Sequence, residues 1–375
     1  MINKLRIKEE FIHLIMLDGV SRQERVVADY LAGVLKALGA EVTFDGAGEK
    51  IGGDCGNLLA RMPGNRPTIA PLMFNAHLDI ISSRDGVEPV FTDGIFTSQQ
   101  DKILGADDRS GIAAILEMLR VIKENNLPHG DLELVFTVAE EVGLLGAKHL
   151  DYGWIKALRG FSLDSGEQDL VIFAAPASNR MTYKVYGLAA HAGVHPEQGI
   201  SAVQIASQAI VNMPLGRIDE ETTANIGTIK GGTATNIIPD FVECLGEARS
   251  HDMAKLQIQT KAMGNAFRQA LEAYRIPNDG NLPLLEEEIR LEYPQMRVAE
   301  DSPCSLLLRQ GMKALGRVCR FAKTGGGSDA NIFNSQGIET LIIGTGMHNP
   351  HTAQENIALA DMVRCAQLLV ELARV

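Results

Sequence analysis

The chain has 375 residues, 45% of them hydrophobic and 22% charged, with a net charge of −12. That length exceeds one ordinary hydrophobic core and predicts two domains. The acidic balance speaks against nucleic acid or an anionic membrane as partner, since both select clustered Lys and Arg, and it suits a protein that holds cations.

Charges run through the apolar residues of the N-terminal segment "MINKLRIKEEFIHLIMLD", which reads as an amphipathic helix rather than a signal peptide. Ser21-Arg-Gln-Glu24 has the form of a capping box, opening a helix that runs to about Leu38 with Gly39 as its stop. Short strands follow near 41–44 and 57–62, and the glycine-rich stretch between them, "FDGAGEKIGGDCGN", reads as a surface loop. Leu72–Ala76 is continuously apolar, the pattern of a strand covered on both faces. Asp93-Gly94 between two short β-type runs signals a hairpin. A helix is expected from Ser110 to about Glu124, apolar strands at 132–138 and 160–163, and a mostly parallel sheet.

After Asn179 the rhythm changes. The order β-α-β-β-α-β over roughly 180–295 is that of a ferredoxin-like module. The expected architecture is therefore α/β: a three-layer catalytic domain made of 1–179 and 296–375, with an inserted α+β domain at 180–295. The five cysteines are scattered and include no C-x-x-C pair, which predicts reduced thiols and a cytoplasmic protein. No apolar run of about 18 residues is present to span a membrane.

The chemistry gathers where apolar strands end. "MFNAHLDI" closes its strand with His77 and Asp79, two apart and so facing the same way. A carboxylate beside an imidazole can fix its tautomer and free the other nitrogen as ligand or base, though a strand-end His with an incidental Asp would look the same. "LGADDRSG" adds Asp107 and Asp108 before a helix, "TVAEEVG" adds Glu140 and Glu141, "SLDSG" adds Asp164, and "GTGMHNPHTAQE" adds His348 and His351. In open α/β sheets ligands bind at the strands' C-terminal edge. Acids and histidines crowded there need cations for balance: two divalent ions would neutralise Asp107, Glu141, Asp164 and one hydroxide. Imidazole and carboxylate donors suit zinc, with cobalt or manganese as substitutes.

The stretches "NAHLD", "LGADDRSGIAA", "TVAEEVGLLGA", "SLDSG", "GLAAHAG", "GGTATNIIPD", "GGGSDANIF" and "NPHTAQE", in this order over nearly the whole chain, resemble the di-zinc exopeptidases. That family includes peptidase T, glutamate carboxypeptidase, aminoacylase and succinyl-diaminopimelate desuccinylase, and the likeness is greatest to the peptidase T-like branch. The resemblance implies two zinc ions per subunit. His77 and Asp164 would bind one, Glu141 and His351 the other, and Asp107 would bridge them; His348 is the alternative last ligand. It implies Glu140 as general base acting on a metal-bridging hydroxide, Asp79 as the group that orients His77, and a cis peptide at Asp107-Asp108. It further implies a homodimer through the inserted domain, with His191 reaching the partner's site. Asn236 and Arg249 would hold the substrate carboxylate, and Gly326 and Gly327 would line its backbone. The expected activity is hydrolysis of an amide near a free terminus, foremost by an aminopeptidase on short peptides. A deacylase or carboxypeptidase of the same family, a non-catalytic metal-binding protein and a module that only binds peptides are the rival readings.

Overall fold

The computed structural model describes residues 1–83, 87–99, 101–274 and 281–374. It divides into two compact units, the larger comprising Met1–Ala174, Met296–Thr324 and Ser328–Val375, the smaller Ala175–Gln295 and Gly325–Gly327. The smaller unit begins a few residues before the expected position 180, because its first strand opens at Ala177 and pairs from there on with the unit's own strands.

Among the described residues the larger unit is built on a nine-stranded sheet. At its centre Leu132–Thr137, Leu72–His77, Arg159–Ser162 and Glu339–Ile343 lie side by side and parallel. Their C-terminal ends therefore share one edge. The first two are buried at every position, as strands must be when helices cover both faces. The flanks are not parallel: Leu58–Met62 pairs antiparallel with Leu132–Thr137, and Leu170–Ala175 antiparallel with Glu339–Ile343. The sheet is thus mixed. Leu170–Ala175 is itself an apolar run, LVIFAA, not assigned to a strand from the sequence; its partner Arg320–Lys323 has no such run, being half-exposed and basic at both ends. The helices Lys4–Met16, Ala106–Glu124, Pro303–Ala314 and Leu359–Ala373 pack together beside the sheet. The hairpin Pro89–Thr92 and Ile95–Ser98 turns on Asp93 and Gly94, with φ of 51° and 85°, the left-handed pair that such two-residue turns require.

Two expectations are corrected here. The stretch 44–57 is not a plain surface loop: it contains the helix Ala47–Ile51 and ends in buried Cys55, Gly56 and Asn57. Ser21 and Glu24 do not form a capping box either. The helix is Arg25–Leu38, and its N-cap Glu24 makes no side-chain cap bond.

Among the described residues the smaller unit is built on a five-stranded antiparallel sheet, with Ala177–Tyr186 between Phe241–Ser250 and Leu284–Tyr293. The helices Ala202–Asn212 and Met253–Ala273 pack against it. Its core includes Met181, Tyr183, Val185, Ile205, Val242 and Phe267, with Tyr183 and Phe267 stacked at 4.2 Å. Alternate residues of the central strand, Met181, Tyr183 and Val185, face this core, the period-2 pattern of a strand covered on one face.

Candidate metal centre

The four parallel strands deliver their polar residues to one edge. His77 ends its own strand, Glu140 and Glu141 follow Thr137, Asp164 follows Ser162, and His351 lies beyond Ile343. Asp107 enters from the start of Ala106–Glu124, where Asp107 and Asp108 depart from helical geometry and the peptide between them is cis.

These side chains converge. Donor atoms of His77, Asp107 and Asp164 lie within 4.8 Å of one another, as do those of Asp107, Glu141 and His351 and those of His77, Glu140 and Glu141. Asp107 turns one oxygen to each imidazole: Oδ1 lies 3.0 Å from His77 Nε2 and Oδ2 3.2 Å from His351 Nε2. His351 Nε2 is also 2.8 Å from Glu141 Oε1. His348 is exposed, paired through its backbone with Asn356, and outside these groups.

Asp79 does more than orient a ring. His77 Nδ1 lies 3.0 Å from the Asp79 backbone carbonyl oxygen and 3.4 Å from Oδ1. Both are acceptors, so Nδ1 carries a proton, and on a neutral ring Nε2 would be left as the nitrogen that ligates a cation. The carboxylate itself accepts from the amides of Glu140 and Glu141, at 3.0 and 3.2 Å. Burial opposes its ionisation, yet His77 and the donors around it hold its pKa below the usual value.

Three further supports were not legible as functional. Asn57 accepts from Val138 N at 3.0 Å and donates to Gly146 O at 2.9 Å, clamping both ends of the loop that carries Glu140 and Glu141. A Cβ on Gly146 would stand 2.3 Å from Val138 O, so only glycine closes that loop. Glu355, 1% exposed, accepts from Gly105 N and Asp107 N at 2.7 and 3.0 Å. It closes the stretch "NPHTAQE", where nothing local announces its hold on Asp107. Asp329, which opens Asp329–Ser335, accepts from Thr137 Oγ1, and burial pushes it up to about 6.

The electrostatics suit cations. Burial drives Glu140 and Asp164 well above the ordinary carboxylate range, and Asp164 and Asp107 respectively add to it. Burial works against a proton on His77, but Asp107 and Asp79 raise its pKa well above the ordinary value. Asp107 and Glu141 push His351 up to about 10. Protons thus serve as the countercharge for a cluster that divalent ions would neutralise better. Three overlapping sets of imidazole nitrogen and carboxylate oxygen, with no thiolate among them, fit zinc, cobalt or manganese.

The other expected site residues belong to the smaller unit. His191 is exposed, and its backbone neighbour Ala192 donates to Asn236 O at 2.9 Å. Arg249 donates through Nη2 to Glu247 at 3.0 Å and reaches Gly325 O at 3.4 Å, next to Gly326 and Gly327. A Cβ on Gly327 would meet the Tyr293 ring at 2.4 Å. The five residues thus form two groups, His191 with Asn236 and Arg249 with the glycine loop.

Residues 73–375 match the sequence profile of peptidase family M20/M25/M40. The chain is 38% identical over 371 residues to an uncharacterized protein of Bacillus subtilis, YqjE, covering 99% of this chain and 98% of that one. Two solved structures are similar along 100% of this chain and 98% of their own. The aminopeptidase PepT of Bacillus cereus is 36% identical with a TM-score of 0.89, and a tripeptidase of Staphylococcus aureus is 33% identical with a TM-score of 0.93. The shared fold, the match across both halves of the larger unit and the acid–imidazole cluster agree: this chain belongs to peptidase family M20/M25/M40, on its peptidase T-like side.

Proposed function

We propose that the protein is a metal-dependent aminopeptidase that cuts short peptides, tripeptides foremost. The observation that carries this reading is Asp107, whose two oxygens face two different imidazoles inside overlapping groups of metal-type donors, with Glu140 beside them. In this reading His77, Asp107 and Asp164 hold one divalent cation, and Asp107, Glu141 and His351 a second. Zinc is the preferred ion and cobalt or manganese the substitutes. Bound cations would polarise the scissile carbonyl and acidify the attacking water.

Glu140, 9% exposed, receives the proton of that water at its carboxylate and returns it to the departing amine. A storage site has no use for such a base, which argues against a non-catalytic role. Asp79 keeps His77 in the ligating tautomer and holds the backbone of Glu140 and Glu141. In the smaller unit Asn236 and Arg249 bind the carboxylate of the substrate, and Gly326 and Gly327 let its backbone come close. His191, exposed in its own subunit, contacts the developing oxyanion in the partner of a homodimer.

The test is a panel of tripeptides, dipeptides and N-acyl amino acids assayed on metal-loaded protein, with sedimentation to count subunits. Tripeptides should be cut from the N-terminus, chelator should abolish turnover, and zinc or cobalt should restore it. Turnover confined to N-acyl amino acids, or to release of the C-terminal residue, would make it a deacylase or carboxypeptidase instead. Full activity as a monomer would remove the role of His191.

A further inference from the structure

Four consecutive amides, 138 to 141, each donate to a buried side chain: Val138 N to Asn57 Oδ1 at 3.0 Å, Ala139 N to Glu24 Oε1 at 2.8 Å, and Glu140 N and Glu141 N to Asp79 Oδ1 and Oδ2 at 3.0 and 3.2 Å. We infer that Glu24 is a positioning residue for the Glu140–Glu141 pair, holding the Ala139 amide and with it the turn from which both acids project. The inference rests on the roles given to Glu140 and Glu141 above.

Ala139 is fully buried and sits in the left-handed region, at φ 51°. A residue with a Cβ holds that conformation only when its surroundings enforce it. Glu24, 0% exposed, supplies the enforcement. The same Oε1 also accepts from Arg22 N at 2.8 Å, so the short segment 21–24 is braced against itself before it braces the loop. Ser21, three residues earlier, donates through Oγ to Asp79 Oδ2 at 2.6 Å. One N-terminal segment thus reaches both carboxylates that grip the loop. Ser21 and Glu24 are the pair that a capping box would have turned onto the helix. Instead the helix takes only the backbone carbonyl of Glu24, through Ala28 N at 2.9 Å, and goes without a side-chain cap. Among the described residues Glu24 Oε2 has no hydrogen-bond partner. What position 24 requires is therefore one acceptor oxygen at the Ala139 amide, not a charge.

A buried amide without an acceptor is costly, so removing that oxygen lets the turn relax and moves both acids. Displacements well under an ångström suffice to weaken a metal ligand or a general base.

The experiment compares Glu24→Ala and Glu24→Gln with the parent in three measurements. These are Co2+ affinity of the metal-free protein by visible absorption, kcat and KM on a tripeptide, and unfolding followed by tryptophan fluorescence. Glu24→Ala should weaken one Co2+ equivalent by about 10–100-fold and lower kcat by a similar factor, with KM within about threefold. Glu24→Gln retains the accepting oxygen and should recover both to within about threefold. Should Glu24→Ala not fold, Glu24→Asp carries the test, since it keeps the carboxylate but withdraws it by one methylene, and it should show the same losses. A variant less stable to unfolding but unchanged in Co2+ affinity and in kcat per folded molecule would make Glu24 merely structural and overturn the inference. So would a Glu24→Gln protein as impaired as Glu24→Ala. A parent that cuts no peptide would sink the proposed activity, yet the Co2+ comparison would still decide the role of Glu24.

Discussion

Glu355 offers a stability experiment whose size follows from geometry. Its two oxygens each accept one buried backbone amide, from Gly105 and Asp107, and the side chain is 1% exposed. Glu355→Ala leaves both amides unpaired in a dry interior. At about 1–3 kcal/mol for each abandoned donor the loss is about 2–6 kcal/mol, a large share of the ~5–15 kcal/mol that stabilises a typical domain. Glu355→Gln keeps one acceptor and turns an NH2 group toward the other amide, so about half of that loss is expected, ~1–3 kcal/mol. The single tryptophan, Trp154, lies in the larger unit with the Arg61 guanidinium 4.4 Å above its ring. Urea unfolding of metal-free protein followed by its fluorescence therefore reports the unit that contains Glu355. The order of stability should be parent, then Gln, then Ala, with an unchanged slope. An Ala variant within about 0.5 kcal/mol of the parent would refute the reasoning.

Glu140→Gln should keep its full metal content by elemental analysis while kcat falls by about 10²–10⁴-fold; hydrolysis at the parent rate would remove Glu140 as the base. His351→Ala should lose one equivalent of cation, whereas His348→Ala should retain both, and the reverse result would exchange their roles. Glu24 gives a pH signature: burial first and the charge of Asp79 second push it from 4.5 to about 7. An acid whose pKa is raised by folding contributes stability that is full below its unfolded value and lost as pH rises through the folded one. Metal-free parent should thus lose on the order of 3 kcal/mol, relative to Glu24→Gln, between about pH 4.5 and pH 7.5. Parallel pH profiles for the two proteins would contradict this.

Much of the molecule was readable along the chain because its signals are local. Apolar runs such as Leu72–Ala76 mark strands buried on both faces, alternation such as that of Met181, Tyr183 and Val185 marks a strand buried on one, and Asp93-Gly94 marks a hairpin. Each depends on neighbours within a few positions. The acids and histidines were conspicuous for the same reason, since polar groups at the ends of apolar strands break a local pattern. The mixed sheet was less legible, because edge strands such as Arg320–Lys323 are half-exposed and lack the apolar run that identifies a central strand.

Chain position alone set which residues stand at strand ends, and so which could serve as donors. Tertiary structure decided which of them meet, and what else they touch. His348 and His351 are equivalent as residue types three positions apart, but the backbone at His351, φ 64°, turns only that ring to Asp107 and Glu141. Ser21 and Glu24 satisfy a helix-capping pattern, yet their side chains bond to Asp79 and to the amide of Ala139, 58 and 115 positions away. A motif records only what is near in sequence. The partner that a buried carboxylate takes is whichever unsatisfied donor the packed chain brings against it, and that is settled when the strands assemble.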